Sequence, residues 1–531
     1  MKKENKKKVT ILTIIAVVVL LLVVVGATYA YFQAQGGGSG NTNINIQTST
    51  TDNLSFQVGS AISLTANQED FGQGAGNKSG ETFARATLTA NNATNNATRN
   101  YYVYLDITSN NFEYTTVDDQ AELLLKVTGP DGAEVTTLGS LERKTSGGVT
   151  GFDITSYDRL IAIADNYEIT STGTTTQDWT VEVIFVNLDS DQNANTGKTF
   201  NANLIIQEEE ITTNYLSDYI INEVYAGVEG SSGIYYHDGI GEYTNAGQEA
   251  GDNSYRYSGS NDVVNNYVCF GPGAEADGTC ANDNLYRIIG LFDDDNNGTY
   301  QVKLIKSDYT TSAMLGTDGR DYAGAYSGLT SKYKGSMELS TIAAYRWNYD
   351  TSVSSRGSNN WTTSEFNTIN LNTNYWNYLG TTWQNLIAET TWHLGGMPSY
   401  KNTAKAFYDG ERNNAGYGSN PTTYTDEIGL MYPSDYGYAA SPDAWTTNLW
   451  DYDNSTITAN NWMYLGLFEW TTTPSSSDSD QLFNVTAGGS LHYYSFANDG
   501  ISARPVFYLE SNVQLEGGSG TTSDPYTLVV W

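Results

Sequence analysis

A long apolar segment lies near the start of this 531-residue chain, and it is too hydrophobic on every side to lie on the surface of a water-soluble domain. Residues 1–8 form a basic head with five lysines, and residues 9–32 are largely apolar. Within them, residues 11–25 carry no charge and one polar residue, Thr13. A basic head before an apolar run is typical of a secretory signal or a membrane anchor, with the lysines in the cytosol. The sequence therefore predicts an exported chain.

The leader predicts an extracellular, cell-surface protein by either of two routes. About 20 apolar residues are enough to span a bilayer, so residues 9–32 would serve as a single-pass membrane anchor. Thr28-Tyr29-Ala30 is also an acceptable cleavage site, and cleavage near Ala30 would release a secreted protein. In both cases we expect the Gly-rich residues 33–43 to form a flexible tether.

The composition excludes two classes of protein. There are 60 acidic and 26 basic residues, which gives a net charge of −34, and this disfavours nucleic-acid partners because they require a basic face. The 40 tyrosines and 11 tryptophans are too many for a disordered chain. Only 16% of the residues are charged, against roughly 25% in an average globular protein, so the polar surface must be mostly uncharged.

Residues 44–208 alternate between polar and apolar positions in the way that predicts an all-β sandwich. A single helical stretch is predicted at residues 158–164. The predicted strands are 85–89, 101–105, 121–127, 179–186 and 203–206. Residues 209–229 follow as a predicted connecting helix with an apolar face that carries Leu216, Ile220, Ile221 and Val224.

The first part of the chain resembles the TasA/camelysin group of secreted Gram-positive proteins. The resemblance rests on the end of the leader, Gly26-Ala27-Thr28-Tyr29-Ala30-Tyr31-Phe32, and on the Thr- and Asn-rich sandwich that follows. It covers roughly the first 200 residues and implies an exported, jelly-roll-like domain. Members of the group are processed by a dedicated signal peptidase, and some assemble into matrix fibres, so the resemblance also implies self-assembly as an alternative role.

Residues 230–531 contain ten of the eleven tryptophans and predict an α+β domain with a loop-rich second half. Residues 285–292 and 300–305 read as two strands of a hairpin, joined by a turn at residues 293–298. Helices are predicted at residues 335–345, 364–379 and 382–390, and Ser364 is a plausible N-cap of the second helix.

This domain resembles a family of largely uncharacterised surface proteins from Gram-positive gut bacteria. Their end module is similar to the C-type-lectin-like fold of formylglycine-generating enzymes. The resemblance spans most of residues 260–531 and implies that Arg504 is structural. Those enzymes oxidise their substrate with paired cysteines late in the domain, whereas the late half here has none, which argues against that activity. The segments that carry the resemblance are Leu285–Gly290, 361–379, Ile428–Met431, Asn461-Trp462 and Ala503–Leu509.

Cys269 and Cys280 are the only cysteines of the chain and flank a turn-rich segment, Gly271-Pro272-Gly273. In an oxidising compartment a lone pair at this spacing predicts one disulfide. A catalytic thiol would need a neighbouring histidine or basic residue, and neither cysteine has one beside it in the sequence.

The turn at residues 293–298 also has the opening pattern of a calcium loop, with Asp293, Asp295 and Asn297 as candidate ligands. The twelfth position, which should be a bidentate glutamate, is Leu304. The same residues form a good hairpin turn, which is the alternative interpretation. We therefore expect no cofactor beyond a weak calcium site.

Aromatic residues interleaved with acceptors in the late loops are the main binding candidates, because flat rings beside carboxylates and amides suit sugar rings. The alternative is that these aromatics fill the core of a loop-rich module. Isolated histidines and the lack of a catalytic motif favour a protein that is not an enzyme. The candidate ligand residues are Tyr432, Asp435, Tyr436, Trp445, Trp450, Trp470, Tyr493 and Tyr494.

Together these patterns predict a surface adhesin in which a β-sandwich stalk carries a head that binds a glycan or protein ligand. The alternative is a structural subunit of a surface or matrix fibre that assembles through the sandwich. An enzyme of the formylglycine-generating type is the third hypothesis.

Overall fold

The computed structural model describes residues 42–47, 52–71, 74–90, 96–116, 118–139, 141–239, 248–274, 280–294 and 298–530, and for residues 42–47 and Tyr494 it describes the backbone alone. The chain divides into two compact units, residues 1–212 (unit 1) and 213–531 (unit 2). Strands hold 37% of the chain and helices 17%, so the protein is mostly β. The predicted leader lies outside the described residues, and within them no helix is long and apolar enough to cross a bilayer.

Unit 1 consists of strands joined by turns. Within its described residues it has two short 3-10 helices, Gln68–Asp70 and Asn193–Asn195. The strands are β1 Thr42–Gln47, β2 Asp52–Val58, β3 Ile62–Thr65, β4 Lys78–Ala90, β5 Ala97–Asn110, β6 Leu123–Thr128, β7 Arg143–Ser146, β8 Val149–Asp153, β9 Ile161–Ser171, β10 Thr174–Phe185 and β11 Thr199–Gln207.

These strands form two antiparallel sheets that share one core. The larger sheet has the order β1-β2-β4-β10-β6-β8-β7, and the smaller has the order β3-β11-β5-β9. Alternate residues of each sheet point inward, such as Ala84 and Leu88 from the larger sheet and Val103 and Leu105 from the smaller, and all four belong to one buried cluster. Unit 1 is therefore a β-sandwich.

One local prediction for unit 1 is wrong. Residues 158–164 were predicted as a helix, but the segment leads into β9, which pairs with β5 at the edge of the smaller sheet. Ile161 and Ile163 are buried while Ala162 between them is exposed, which is the alternation of a strand. Their β-branched side chains favour the extended backbone once a neighbouring strand is available.

Unit 2 combines one larger sheet with several small ones. Strands β12-β13-β15-β16-β24 form the larger sheet, with β14 also paired to β15; the smaller sheets are β17-β18, β19-β20, β21-β22-β23 and β25-β26. The strands are β12 Ile234–His237, β13 Ser254–Tyr257, β14 Tyr267–Cys269, β15 Leu285–Phe292, β16 Gln301–Lys306, β17 Tyr322–Ala325, β18 Ala343–Tyr345, β19 Thr390–His393, β20 Thr423–Asp426, β21 Glu469–Pro474, β22 Gln481–Val485, β23 Leu491–Phe496, β24 Val506–Tyr508, β25 Leu515–Gly517 and β26 Thr527–Leu528.

The helices of unit 2 are short. A helical stretch, Leu216–Tyr219 followed by the π-helix Ile220–Tyr225, buries Leu216 and Ile220 in the core of this unit. The α-helices are Ser312–Leu315, Trp376–Leu379, Thr381–Gln384, Ala404–Asn413, Pro433–Tyr438 and Ser455–Ala459, and a second π-helix is Phe366–Tyr375. The 3-10 helices are Ser231–Gly233, Asn282–Asn284, Leu339–Thr341, Trp361–Thr363, Pro442–Ala444 and Leu449–Asp451.

The predicted hairpin is confirmed, since β15 and β16 pair antiparallel. The predicted helix over residues 364–379 is also confirmed as a continuous helical stretch from Phe366 to Leu379, and the Ser364 hydroxyl accepts the backbone N–H of Asn367 at 3.1 Å, as an N-cap does.

Two other predicted helices of unit 2 are wrong or too long. Residues 335–345 contain only the turn Leu339–Thr341 before β18, because the backbone N–H groups of Ser336 and Met337 donate to the Asp308 carboxylate instead of to helical carbonyls. Of residues 382–390 only the first part is helical, within Thr381–Gln384.

Candidate functional site

Five of the predicted ligand residues are buried in the core of unit 2, which corrects the expectation that they face a ligand. Trp445 and Trp470 have no exposed surface, and Tyr432, Asp435 and Tyr436 are at most 2% exposed. A side chain without accessible surface cannot stack on an external sugar. For these five residues the alternative interpretation, that aromatics fill the core of a loop-rich module, describes the structure.

The polar atoms of the buried aromatics are satisfied inside the unit. The Trp445 indole N–H donates to the Ala440 carbonyl at 3.0 Å, and that of Trp470 donates to the Tyr345 carbonyl at 2.7 Å. The Tyr436 hydroxyl donates to a backbone carbonyl at 2.6 Å. Each ring thus contributes apolar burial without leaving a donor unpaired, which is what a structural aromatic residue requires.

Asp435 belongs to a buried ionic network. Its carboxylate lies 2.7 Å from the Lys303 ammonium and 3.6 Å from the Arg256 guanidinium. It also accepts the backbone N–H of Tyr432 at 2.9 Å. Burial lowers the pKa of Lys303, and the Asp435 carboxylate opposes that shift. The network ties β13 and β16 to helix Pro433–Tyr438, so its visible role is structural.

Trp450 and Tyr493 differ from the five buried candidates because they are only half-buried and share a contact residue, Tyr400. Tyr400 contacts both of them, with ring centroids 4.2 Å from Trp450 and 5.2 Å from Tyr493. His492 stacks on Trp450 with centroids 4.0 Å apart and planes 10° apart. We call Tyr400, Trp450, His492 and Tyr493 the aromatic cluster. Tyr494 follows it on β23, and its side chain lies outside the described part of the chain.

Three separate segments bring the aromatic cluster together. Trp450 lies in the turn Leu449–Asp451, His492 and Tyr493 lie on β23, and Tyr400 precedes helix Ala404–Asn413. The backbone N–H of Leu449 donates to the Asn402 carbonyl at 2.9 Å, which fixes the first loop against the second. Tyr493 in turn packs on the buried Phe483, 5.7 Å between centroids. The cluster is therefore half-exposed but anchored to the core.

Charged groups surround the aromatic cluster. Asp451 and Asp453 follow Trp450 and are exposed. Burial lowers the pKa of His492, and the Asp453 carboxylate opposes this shift. His492 is therefore neutral at pH 7 and can exchange hydrogen bonds as both donor and acceptor. The Lys401 ammonium lies 5.9 Å from the Tyr400 ring centroid.

Tyr400 and His492 are the members of the cluster that sequence reasoning missed. Tyr400 lies 50 positions before Trp450, and His492 appears as an isolated histidine. A short-range signal existed for His492, because it directly precedes the candidate Tyr493 in the sequence. No spacing rule connects Tyr400 to either residue, since only the folded loops bring them into contact.

The candidate calcium loop is only partly described. The Asp293 carboxylate accepts the backbone N–H of Gly298 at 3.0 Å, as in a hairpin turn, and Leu304 is fully buried on β16. Asp295 and Asn297 lie outside the described residues. Within the described ranges, no group of three or more His, Cys, Asp and Glu side chains could hold a metal ion. Calcium binding at this turn stays a prediction.

The remaining named residues have structural surroundings. The predicted disulfide between Cys269 and Cys280 is present, with Cα atoms 5.6 Å apart. Arg504 is buried and makes a two-pronged ion pair with Glu469, at 2.6 and 2.9 Å, and also donates to the Met463 carbonyl at 2.8 Å. This geometry is that of a fixed core contact.

The comparisons with known proteins identify no relative of this chain. Comparison with protein-family models, with curated proteins and with solved structures gave no match to the chain.

Proposed function

We propose that this chain is an exported cell-surface protein, not an enzyme, and that unit 2 binds a glycan through the aromatic cluster. The observation that carries the proposal is the contact of four half-buried rings from three separate segments, in a unit whose other candidate aromatics with described side chains are buried. Such rings can pack against the C–H face of a sugar. Little side-chain entropy is lost on binding, because contacts within the cluster already fix the rings.

The groups around the rings supply the polar part of sugar recognition. Asp451 and Asp453 provide exposed carboxylate acceptors for hydroxyl groups. Neutral His492 adds a donor or an acceptor beside the Trp450 ring. Apolar rings edged by hydrogen-bonding groups match the two-sided chemistry of a pyranose, which has C–H faces and a hydroxyl rim.

The finer architecture belongs to the same proposal. We infer a jelly-roll-like topology for the sandwich of unit 1 and a C-type-lectin-like fold for unit 2. The sequence patterns that support this are the leader, the Thr- and Asn-rich strands, and the recurrent segments around Leu285 and Arg504. In this arrangement residues 9–32 attach the protein to the membrane or direct its secretion, and the two units are extracellular.

The test is a glycan-array screen of the purified full-length protein and its Trp450→Ala variant. We expect Trp450→Ala to weaken glycan binding at least about tenfold. An aromatic side chain that stacks on a bound ring contributes on the order of 1–3 kcal/mol to the free energy of binding. The matched control is Trp376→Ala, which removes another half-buried tryptophan of unit 2. Equal losses in both variants, or no loss in Trp450→Ala, would contradict the proposal.

Self-assembly is a second candidate function, and the position of β1 favours it. Among the described strands β1 lies at the edge of the larger sheet and pairs with β2 alone. An edge strand at the start of the described chain can pair with another copy. Sedimentation of a chain beginning at Tyr31 tests this, because polymerisation should increase with concentration. Monomers at every concentration would contradict it.

A further inference from the structure

The charge of unit 2 bears on which glycans the aromatic cluster accepts. Residues 213–531 contain 36 acidic and 13 basic residues, a difference of −23. Five of the thirteen cations have almost no exposed surface: Arg256, Arg287, Lys303, Lys306 and Arg504. Six acidic side chains of the unit are buried as well: Glu249, Asp308, Asp321, Glu411, Asp435 and Glu469. Burial therefore removes similar numbers of both signs, and the accessible surface of the unit stays strongly acidic.

The immediate surroundings of the aromatic cluster hold charges of both signs. Asp451 and Asp453 lie on the acidic side. The Lys401 ammonium lies 5.9 Å from the Tyr400 ring centroid, and the side chains of Lys332 and Asp453 both lie beside Gly488. His492 adds no positive charge at neutral pH, because burial lowers its pKa. Asp451 and Asp453 therefore act at short range on a bound glycan, in addition to the acidic surface of the unit as a whole.

We propose that the aromatic cluster selects uncharged or amino-bearing glycans and rejects sulfated, sialylated and uronic-acid-rich ones. This inference rests on the proposed function. A polyanionic glycan must approach an acidic surface without a concentrated cationic site of the kind that carboxylate and sulfate recognition requires. A neutral glycan has no such cost, and an amino sugar gains attraction from the acidic groups.

The experiment is an array of neutral, amino-bearing and anionic oligosaccharides probed with the full-length protein at low and at high salt. We expect the bound set to contain neutral or amino-bearing members, with anionic members at least about tenfold weaker at low salt. Raising the salt concentration should narrow that gap, because screening weakens repulsion between exposed charges.

Charge variants sharpen the test. The double variant Asp451→Lys and Asp453→Lys should raise binding of anionic members about tenfold relative to neutral ones. The matched control Asp262→Lys and Asp318→Lys makes the same change in total charge at two exposed acids on other loops of unit 2, and should have a smaller effect. Equal effects would show that total charge alone acts, which would overturn the assignment of selectivity to the cluster.

The outcomes separate the two proposals. If sulfated or sialylated glycans bind best and Trp450→Ala removes that binding, the charge selectivity is wrong and the glycan-binding function stands. If no glycan class binds, or if Trp450→Ala leaves binding unchanged, the proposed function itself fails.

Discussion

Unit 1 and unit 2 are stabilised by different kinds of side chain. In unit 1, small and aliphatic residues such as Ala84, Leu88 and Val181 alternate along strands and face one shared core. In unit 2, the largest buried side chains are tryptophans, tyrosines and two arginines, and they come from loops as much as from strands. A regular alternation can be recognised in a sequence, whereas burial within loops depends on contacts between distant segments. The two units therefore differ in how they respond to mutation.

The largest expected effect is the loss of the Arg504–Glu469 ion pair in unit 2. Arg504→Met leaves a buried carboxylate without its partner and should cost about 3–5 kcal/mol of the free energy of unfolding. Tryptophan fluorescence in denaturant reports this unit, since it holds ten of the eleven tryptophans.

The matched control in unit 1 is Arg85→Met. Arg85 pairs with Asp178 at 2.6 Å, but both side chains are more than 40% exposed, so we expect a loss under about 1 kcal/mol. Equal losses in the two variants would remove the contrast between the units.

The disulfide should also act on unit 2 alone. Replacing Cys269 and Cys280 together by serine should lower its free energy of unfolding by about 2–3 kcal/mol, because the crosslink restricts the unfolded chain. Calorimetry with and without reductant measures this. Reductant should shift the unfolding transition of the natural chain and leave that of the double variant unchanged. An unchanged unfolding transition of the natural chain after complete reduction of the disulfide would contradict the prediction.

Acidification from pH 7 to pH 5 should lower the free energy of unfolding of unit 2 more than that of unit 1, because all three histidines lie in unit 2. Burial lowers the pKa of His237 from 6.5 to about 3, so the folded state keeps this histidine neutral. The contribution of neutral His237 to the free energy of unfolding is fully present above pH 6.5 and decreases as the pH falls towards 3. By pH 5 the loss should be about 2 kcal/mol. Denaturation curves at pH 7 and pH 5 should show this loss, and His237→Gln should reduce it. An equal loss in the variant would show that other groups cause it.

The sequence predicted those parts of the fold in which local pattern and tertiary contact agree. The sandwich strands, the β15–β16 hairpin, the Ser364 cap and the Cys269–Cys280 disulfide are of this kind. The helix at residues 158–164 was wrong because pairing with β5 overrides a weak helical pattern. The predicted helix at residues 335–345 was wrong because the Asp308 carboxylate accepts the backbone N–H groups of Ser336 and Met337.

The candidate site was harder to predict than the fold. Trp470 and Trp450 occupy similar loop-like sequence, yet Trp470 donates to a carbonyl 125 positions earlier and is buried, while Trp450 stays half-exposed. Composition and spacing do not distinguish the two. The contact of Tyr400 with Trp450 likewise depends on two loops that a backbone hydrogen bond between Leu449 and Asn402 holds together.

Hydroxyl-radical footprinting of the full-length protein, with and without a glycan taken from the array, tests the binding surface most directly. The account predicts that the glycan reduces oxidation of Tyr400, Trp450 and His492, while oxidation of Trp376 stays unchanged. Protection of Trp376, or of other residues with none at Trp450, would show that the aromatic cluster is not the glycan-binding surface.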